Sequence, residues 1–198
     1  LDRFGQLDPK IMIATEGYYY NGDRHDVMPR VREITSKLPS LKKIIVSCLT
    51  TDDPKIDHIS GAILTYDFVK PYKPQKIIFQ KFPFNHPLYV LFSSGTTGKP
   101  KCIVHGAGGT LIQHLKEHKL HIDLKKGDRL FYFTTCGWMM WNWTISALAT
   151  GTTVLLFDGS PFYPNPRRLF EYIENEDITV FGTSAKYIDS LKNMKEKP

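Results

Sequence analysis

The feature that most constrains this chain is a rhythm. Apolar runs of strand length alternate with segments whose apolar residues recur at helical spacing: PKIMIAT, then VMPRVREITSKL, then KKIIVSCL. The rhythm returns as YVLFSS, GTLIQHLKEHKL, RLFYFTT, WNWTISALAT, TTVLLFD, PRRLFEYIENE, ITVFGTS and AKYIDSLKNM. Strands separated by helices pair in parallel, because a parallel pair needs a long crossover and a helix supplies one. The expected fold is therefore α/β, with mostly parallel sheets flanked by helices. Ligands in such folds bind outside the carboxyl ends of the strands.

Between Thr50 and Pro87 the rhythm weakens into TTDDPKIDH and KPYKPQK, and five prolines (Pro54, Pro71, Pro74, Pro83, Pro87) interrupt it. This divides the chain into a first α/β portion (1–50), a connecting stretch (51–86) with an edge strand expected at KIIFQKF (76–82), and a second α/β portion (87–198). There is no internal repeat and no low-complexity tract. The chain starts at Leu1 and stops at MKEKP directly after a helical pattern, so both ends are read as cuts through a larger protein.

Apolar residues make up 41% of the sequence, ample for a core, yet no apolar run approaches the ~20 residues of a membrane span. The N-terminus lacks the basic-then-apolar build of a secretion signal. Three widely spaced cysteines (Cys48, Cys102, Cys136) fit neither a disulfide framework nor a C-x-x-C metal site, which points to a reducing compartment, the cytosol. A net charge of +6 could serve nucleic acid or a small anion, but the lysines are scattered and the aromatics sit within apolar runs. Small molecules are the expected partners, with no nucleic acid and no membrane insertion.

One loop demands a ligand. FSSGTTGKPKCIVHG (92–106) follows the apolar run PLYVLF and precedes the helical run TLIQHLKEHKL, and is read as strand, loop, helix. Glycine at such a junction lets backbone approach a ligand, while free amides and a following helix dipole favour an anion. The nucleoside-triphosphatase loop does not match, because Gly95 and Gly98 are two residues apart and Pro100 follows Lys99. The dinucleotide fingerprint fails as well, and GAGG (106–109) lacks its spacing. Four hydroxyls (Ser93, Ser94, Thr96, Thr97), two glycines and Lys101 remain. A hydrogen bond to a charged group contributes about 1.5–3 kcal/mol and a partly screened ion pair at 4 Å roughly 4 kcal/mol. Such a loop holds a polyphosphate.

SSGTTGKPK resembles the phosphate-binding signature of the adenylate-forming superfamily: acyl-CoA synthetases, luciferases and peptide-synthetase adenylation domains. The likeness extends from LDRFGQLDPKIMI through TTCGWMMWNWTISALATGTTVLLFDGSP to FGTSAKYIDSL, is strongest to the acetoacetate-activating branch, and covers a central portion of the large N-terminal AMP-binding domain. It implies that Ser93, Ser94, Gly95, Thr96, Thr97, Gly98 and Lys101 close on the β- and γ-phosphates of ATP, with Lys101 the catalytic charge. Lys99 stands at a variable position, and Cys102, where many relatives have glycine, is assigned no chemistry. In acetyl-type relatives the residues after the matching Gly-Trp line the acyl pocket, which implies Gly137, Trp138, Met139 and Met140 as walls and Asn142 as a polar contact. TSAKYIDSL matches a turn near the acyl-adenylate and the CoA tunnel, although Ala185 replaces a frequent proline.

The implied reaction is acid–thiol ligation: acetoacetate and Mg-ATP give an acyl-adenylate and pyrophosphate, and CoA then displaces AMP. ATP, Mg2+ and CoA are the implied cofactors and co-substrates. The adenine-binding aromatic motif with its Mg2+-liganding acid, the ribose-binding aspartate and the C-terminal lid domain with its lysine are not found in the 198 residues, so this piece alone is expected not to turn over. No metal ligand is expected within it. His114, His118 and His121 share one helical face and are read as exposed or half-packed, and His105 as adjacent to the loop. The alternatives are a non-catalytic truncated remnant and a synthetase for another short acid such as acetate.

Overall fold

The computed structural model describes residues 1–93 and 98–196. The chain divides into two compact units, Leu1–Lys81 with Phe92–Ile103 and Phe82–Leu91 with Val104–Pro198.

In the first unit a short 3-10 turn at Phe4–Gln6 precedes β1 (Ile11–Thr15). β2 (Gly17–Tyr20) and β3 (Asp23–Asp26) then form an antiparallel hairpin. Its two turn residues, Asn21 and Gly22, both take positive φ (52° and 88°), the conformation whose twist matches that of the paired strands. α1 (Met28–Ser36) carries Pro29 in its first turn, where the missing N–H costs no helix bond. β4 (Lys43–Ser47) pairs in parallel with β1, and β5 (Ala62–Leu64) with β4, before α2 (Thr65–Val69). Alternation along β4 sends Ile44 and Val46 to the face where α1 places Met28 and Val31, and these form the core with Ile59. The stretch read as a connector thus supplies a strand, at 62–64. KIIFQKF is not a strand: Ile77, Ile78 and Phe79 are exposed, and none of 76–82 joins a sheet among the described residues. Pro71, Pro74 and Pro83 flank it and cannot themselves donate to a ladder, so a strand here could not be extended beyond the segment.

β6 (Pro87–Ser93) and β7 (Lys101–Gly106) pair as a two-stranded sheet whose loop-end residues belong to the first unit and whose other ends belong to the second. The second unit continues through α3 (Ala107–Lys116), which runs into a π-helical turn at Glu117–His121, then β8 (Arg129–Tyr132), α4 (Met139–Ser146), β9 (Thr153–Leu155), α5 (Arg168–Asn175), β10 (Val180–Gly182) and α6 (Ala185–Asn193). Its sheet is parallel in the order β10-β8-β9, with Phe131 opposite both Phe181 and Leu155. Phe131 packs on one face with Leu155, Leu169, Tyr187 and Leu191, while Leu130 packs on the other with Leu124 and Ala147. Both faces are buried, as a parallel sheet requires. The fold is α/β, with parallel sheets flanked by helices. No helix among the described residues is long and apolar enough to cross a membrane.

One buried charge organises the first unit. Glu16 is 1% exposed, and its carboxylate accepts the backbone N–H groups of Leu49 (2.7 Å), Thr50 and Thr51 (3.0 Å), fixing the loop after β4. Arg24 Nε donates to Thr50 Oγ1 at 2.7 Å and ties the β2–β3 hairpin to the same loop. Burial alone raises the pKa of Glu16, but the hydrogen bonds from Thr50 and Leu49 outweigh it and bring it from 4.5 down to about 2. The folded state therefore refuses a proton that the unfolded chain takes up below pH 4.5, so this stability is present above pH 4.5 and is lost as pH falls toward 2. The shift corresponds to about 3 kcal/mol. Denaturant unfolding of the first unit between those pH values is expected to show a steep acid loss that Glu16→Gln flattens; equal slopes in the two proteins would contradict the assignment.

Candidate functional site

The first group of candidate residues lies at the loop end of the β6–β7 hairpin. Ser93 closes β6 and is half-buried, while Lys101 opens β7 and is exposed. Gly98 has φ +91°, and no atom lies within 4 Å of where a Cβ would stand, so a side chain there is disfavoured by backbone strain alone. Ser94, Gly95, Thr96 and Thr97 lie outside the described residues. The first unit anchors the hairpin: Gln6 Nε2 donates to the Pro100 carbonyl at 3.0 Å, and Phe4 packs edge-on against Phe92 with ring centres 6.2 Å apart. The expected order of strand, loop and helix is corrected here. KCIVHG pairs with β6 as a strand, so six residues separate the loop's exit from α3, and the dipole of that helix does not begin at the loop.

The second group lies in the second unit, around a cavity of about 590 Å³. Tyr89 and Leu91 of β6, His105 of β7 and Tyr132 of β8 line it beside Gln113, His114, Glu117 and His121 of α3 and its π turn. Met139, Met140 and Trp143 of α4 complete it. The volume falls within the usual range for small-molecule sites. The two methionines named from the sequence are therefore walls of one cavity. Asn142 lines a separate cavity of about 290 Å³ with Trp141, Ile145 and Ser146. Trp138, the residue before α4, is 70% exposed, and Gly137 lies in the preceding turn; neither forms part of the wall of either cavity.

A polar network packs α3 against α4 beside this cavity. His118 Nε2 lies 3.0 Å from the Trp143 carbonyl oxygen and 3.0 Å from Ser146 Oγ, and His114 Nδ1 lies 2.9 Å from the same hydroxyl. A carbonyl only accepts, so His118 Nε2 carries the proton, and its Nδ1 is buried without a partner among the described residues. Burial lowers the pKa of His118, against the opposing pull of the Trp143 carbonyl, and burial likewise lowers that of His114. The expectation of an exposed or half-packed histidine face fails for these two, because Trp143 and Ser146, more than 20 positions away in sequence, supply the cover and the partners. His121 is exposed and faces the cavity. No cluster of three His, Cys, Asp or Glu among the described residues is placed to hold a metal ion.

A third group lies at the carboxyl edge of the sheet. β8 and β10 are parallel neighbours, and Phe133 N–H donates to the Gly182 carbonyl at 2.9 Å, so the turns after both strands leave the same edge. Ser184 caps α6, its hydroxyl accepting the Tyr187 N–H at 3.2 Å, and Ala185 begins that helix. At this turn the buried Thr183 and Tyr187 hydroxyls have no partner among the described residues. Sequence reasoning weighed Ser184 and passed over Thr183, since a hydroxyl's burial has no signature in composition. It also passed over Gln113 and Glu117, whose helical spacing resembles that of any solvated face.

Comparison with known proteins now bears on this geometry. The sequence profile of AMP-binding enzymes matches residues 3–198. The chain belongs to the AMP-binding enzyme family. This family member is 53% identical over 192 residues to an acetoacetyl-coenzyme A synthetase of Rhizobium meliloti (strain 1021), covering 97% of this chain and 29% of that protein. It is 42% identical over 214 residues to a malonamoyl-CoA synthetase of Penicillium aethiopicum, covering 100% of this chain and 30% of that one. The structure of acetoacetyl-CoA synthetase from Streptomyces lividans superposes with a TM-score of 0.88 at 41% identity, covering 98% of this chain and 29% of that structure. The chain thus spans about 30% of the length of the relatives it matches.

The histidine network carries a pH signature. Protonating His118 in the folded state places a proton on the partnerless Nδ1, so the unfolded chain takes up protons first, just below the ordinary value of 6.5. The second unit is expected to hold its full stability above pH 6.5 and to lose part of it as pH falls below that value. Thermal melts across this range should show a shallower pH dependence in His118→Phe, and His118→Ala should cost roughly 2–4 kcal/mol at neutral pH. Identical pH profiles in wild type and His118→Phe would remove His118 from the account.

Proposed function

We propose that this chain forms the phosphate-binding hairpin and the acyl wall of an acid–thiol ligase that activates acetoacetate with ATP and transfers it to CoA. The observation that carries the reading is the joint presence, in an AMP-binding family member, of an exposed Lys101 beside a positive-φ Gly98 and of a mainly apolar cavity walled by Met139 and Met140. In the first half-reaction an acetoacetate oxygen attacks the α-phosphorus of ATP and the bond to pyrophosphate breaks. In the second the CoA thiol attacks the acyl carbon, AMP leaves and the thiol proton is released.

The chain's own residues supply positioning and charge. Ser93, Ser94, Thr96 and Thr97 donate hydroxyls to the β- and γ-phosphates, Gly95 and Gly98 keep the loop open, and Lys101 offsets the charge developing on the pyrophosphate. Met139 and Met140 form the acyl wall, Gly137 and Trp138 lead into it, and Asn142 faces the adjoining cavity. The Thr183–Ser184 turn, at the carboxyl edge of the sheet, is read by family resemblance alone as lying near the route of CoA. Mg2+ accompanies ATP in this reading, and no cluster of three His, Cys, Asp or Glu among the described residues is placed to hold it. The two kinds of relative name acids that share a carbonyl two carbons from the carboxylate, which supports a short 3-oxo acid over acetate.

The test is ATP–pyrophosphate exchange in a hybrid polypeptide in which this chain replaces the matching stretch of the Rhizobium meliloti synthetase. Exchange is expected to depend on acetoacetate, and Lys101→Ala to lower it by about 10² or more, the usual cost of removing a preorganised donor or charge. Unchanged exchange in the variant would refute the role of Lys101, and exchange driven by acetate but not by acetoacetate would refute the acid assignment.

A further inference from the structure

We propose that Glu117, with the indole of Trp143, forms the floor of the acyl cavity and filters the acid by its tail, admitting short monocarboxylic acids and rejecting longer chains and those that end in a second carboxylate. Glu117 is a positioning and specificity residue in this account, and the proposal rests on reading Met139 and Met140 as the acyl wall.

Both Glu117 oxygens are engaged. Trp143 Nε1–H donates to Oε2 at 2.9 Å, and Gln113 Nε2–H donates to Oε1 at 2.6 Å. Trp143 follows Met140 by three residues and Met139 by four, so the indole and both methionines share a face of α4, and all three line the cavity. The ring is held on its other sides, with its centre 4.4 Å from that of His118 and 5.9 Å from that of Tyr132. The Trp143 carbonyl accepts hydrogen bonds from His118 and from Ser146, at 3.0 and 2.7 Å. A side chain fixed at so many points is a rigid stop, and a rigid stop sets chain length.

The charge sets direction. A carboxylate in the cavity wall repels the reacting carboxylate of an acid, so the uncharged tail is the end that faces Glu117. A dicarboxylate has no uncharged end to offer. Like-charge juxtaposition at close quarters costs several kcal/mol, enough for discrimination of about tenfold or more.

Binding is measured on the hybrid polypeptide described above, with 13C-labelled methionine methyl groups as the readout. The methyl signals of Met139 and Met140 are followed by NMR during titration with butanoate, hexanoate and glutarate. Wild type is expected to favour butanoate over both others. Glu117→Gln, whose amide oxygen still accepts from the indole, should improve glutarate relative to butanoate by about tenfold. Trp143→Ala should improve hexanoate relative to butanoate, and Trp143→Phe, which keeps a ring and loses only the N–H, should fall between. Unchanged preferences in all three folded variants would overturn the inference while leaving the acyl wall intact. Failure of every acid to move Met139 or Met140 in wild type would instead overturn the acyl-wall reading, and the inference with it. Thermal melts of each variant show that the comparison is between folded proteins, and Glu117→Gln decides the charge filter even if Trp143→Ala does not fold.

Discussion

A parallel sheet leaves no strand a short way home, and in the second unit this requirement places the chemistry. β8 pairs on one side with β9 and on the other with β10, all running the same way, so each strand returns through helix on a face of the sheet. Because side chains alternate, Leu130 and Phe131 go to opposite faces, and both faces are buried. The residues released at the carboxyl edge are the turn leading into α4 after β8, and Thr183 and Ser184 after β10. Sheet direction decides where the loops emerge, and loop composition decides what they do there.

The interface of α3 and α4 is held by polar groups that are buried, as His114 and His118 are, or half-buried, as Ser146 is. Ser146 accepts from or donates to His114, His118 and the Trp143 carbonyl, so one hydroxyl serves three partners at 2.7–3.0 Å. In an apolar setting an unmade bond of this kind costs about 1–3 kcal/mol, so a network that is nearly satisfied resists sliding of one helix along the other. The π turn at Glu117–His121 belongs to the same arrangement: a wider turn changes the phase of the helix, with His118 directed into the interface and Glu117 and His121 at the cavity. Positional precision at Met139 and Met140 is inherited from these contacts, since α4 has little amphipathic character of its own and is hydrophobic on most sides.

Much of this was legible in the residues, and what was not has a physical cause. KKIIVSCL, RLFYFTT, TTVLLFD and ITVFGTS each contain the strand they announced, because dense β-branched and aromatic runs bounded by polar residues leave little alternative. The β2–β3 hairpin was missed even though Asn21-Gly22 is a strong turn signal, because three tyrosines beside it blurred the period-two pattern. β7 was missed because Lys101, Cys102 and His105 dilute its apolar residues; its partner β6 supplies the ladder that the local sequence does not promise. KIIFQKF shows the reverse error, a segment with strand composition and no partner among the described residues. The burial of His114 and His118 could not be read locally, since their covering groups lie 25–32 positions away. The phosphate-loop and methionine-wall readings came from resemblance alone, while the cavity position of Glu117 had no signal in the sequence.

Asn142 is turned away from Met140 by the helix itself, although it stands only about 60° from Met139. At 100° per residue, Asn142 stands about 200° around the helix from Met140, so the two face nearly opposite directions. Trp143 stands within about 60° of both methionines and joins them in the wall. Gln113, His105 and Tyr89, from α3, β7 and β6, line the same cavity as Met139 and Met140. Tyr89 is the most constrained of these: burial raises its pKa, a hydrogen bond with Thr110 opposes the rise, and its ring centre lies 5.6 Å from that of His105. The cavity wall is thus divided between elements: α4 contributes two methionines and an indole, and β6, β7 and α3 contribute hydrogen-bonding groups.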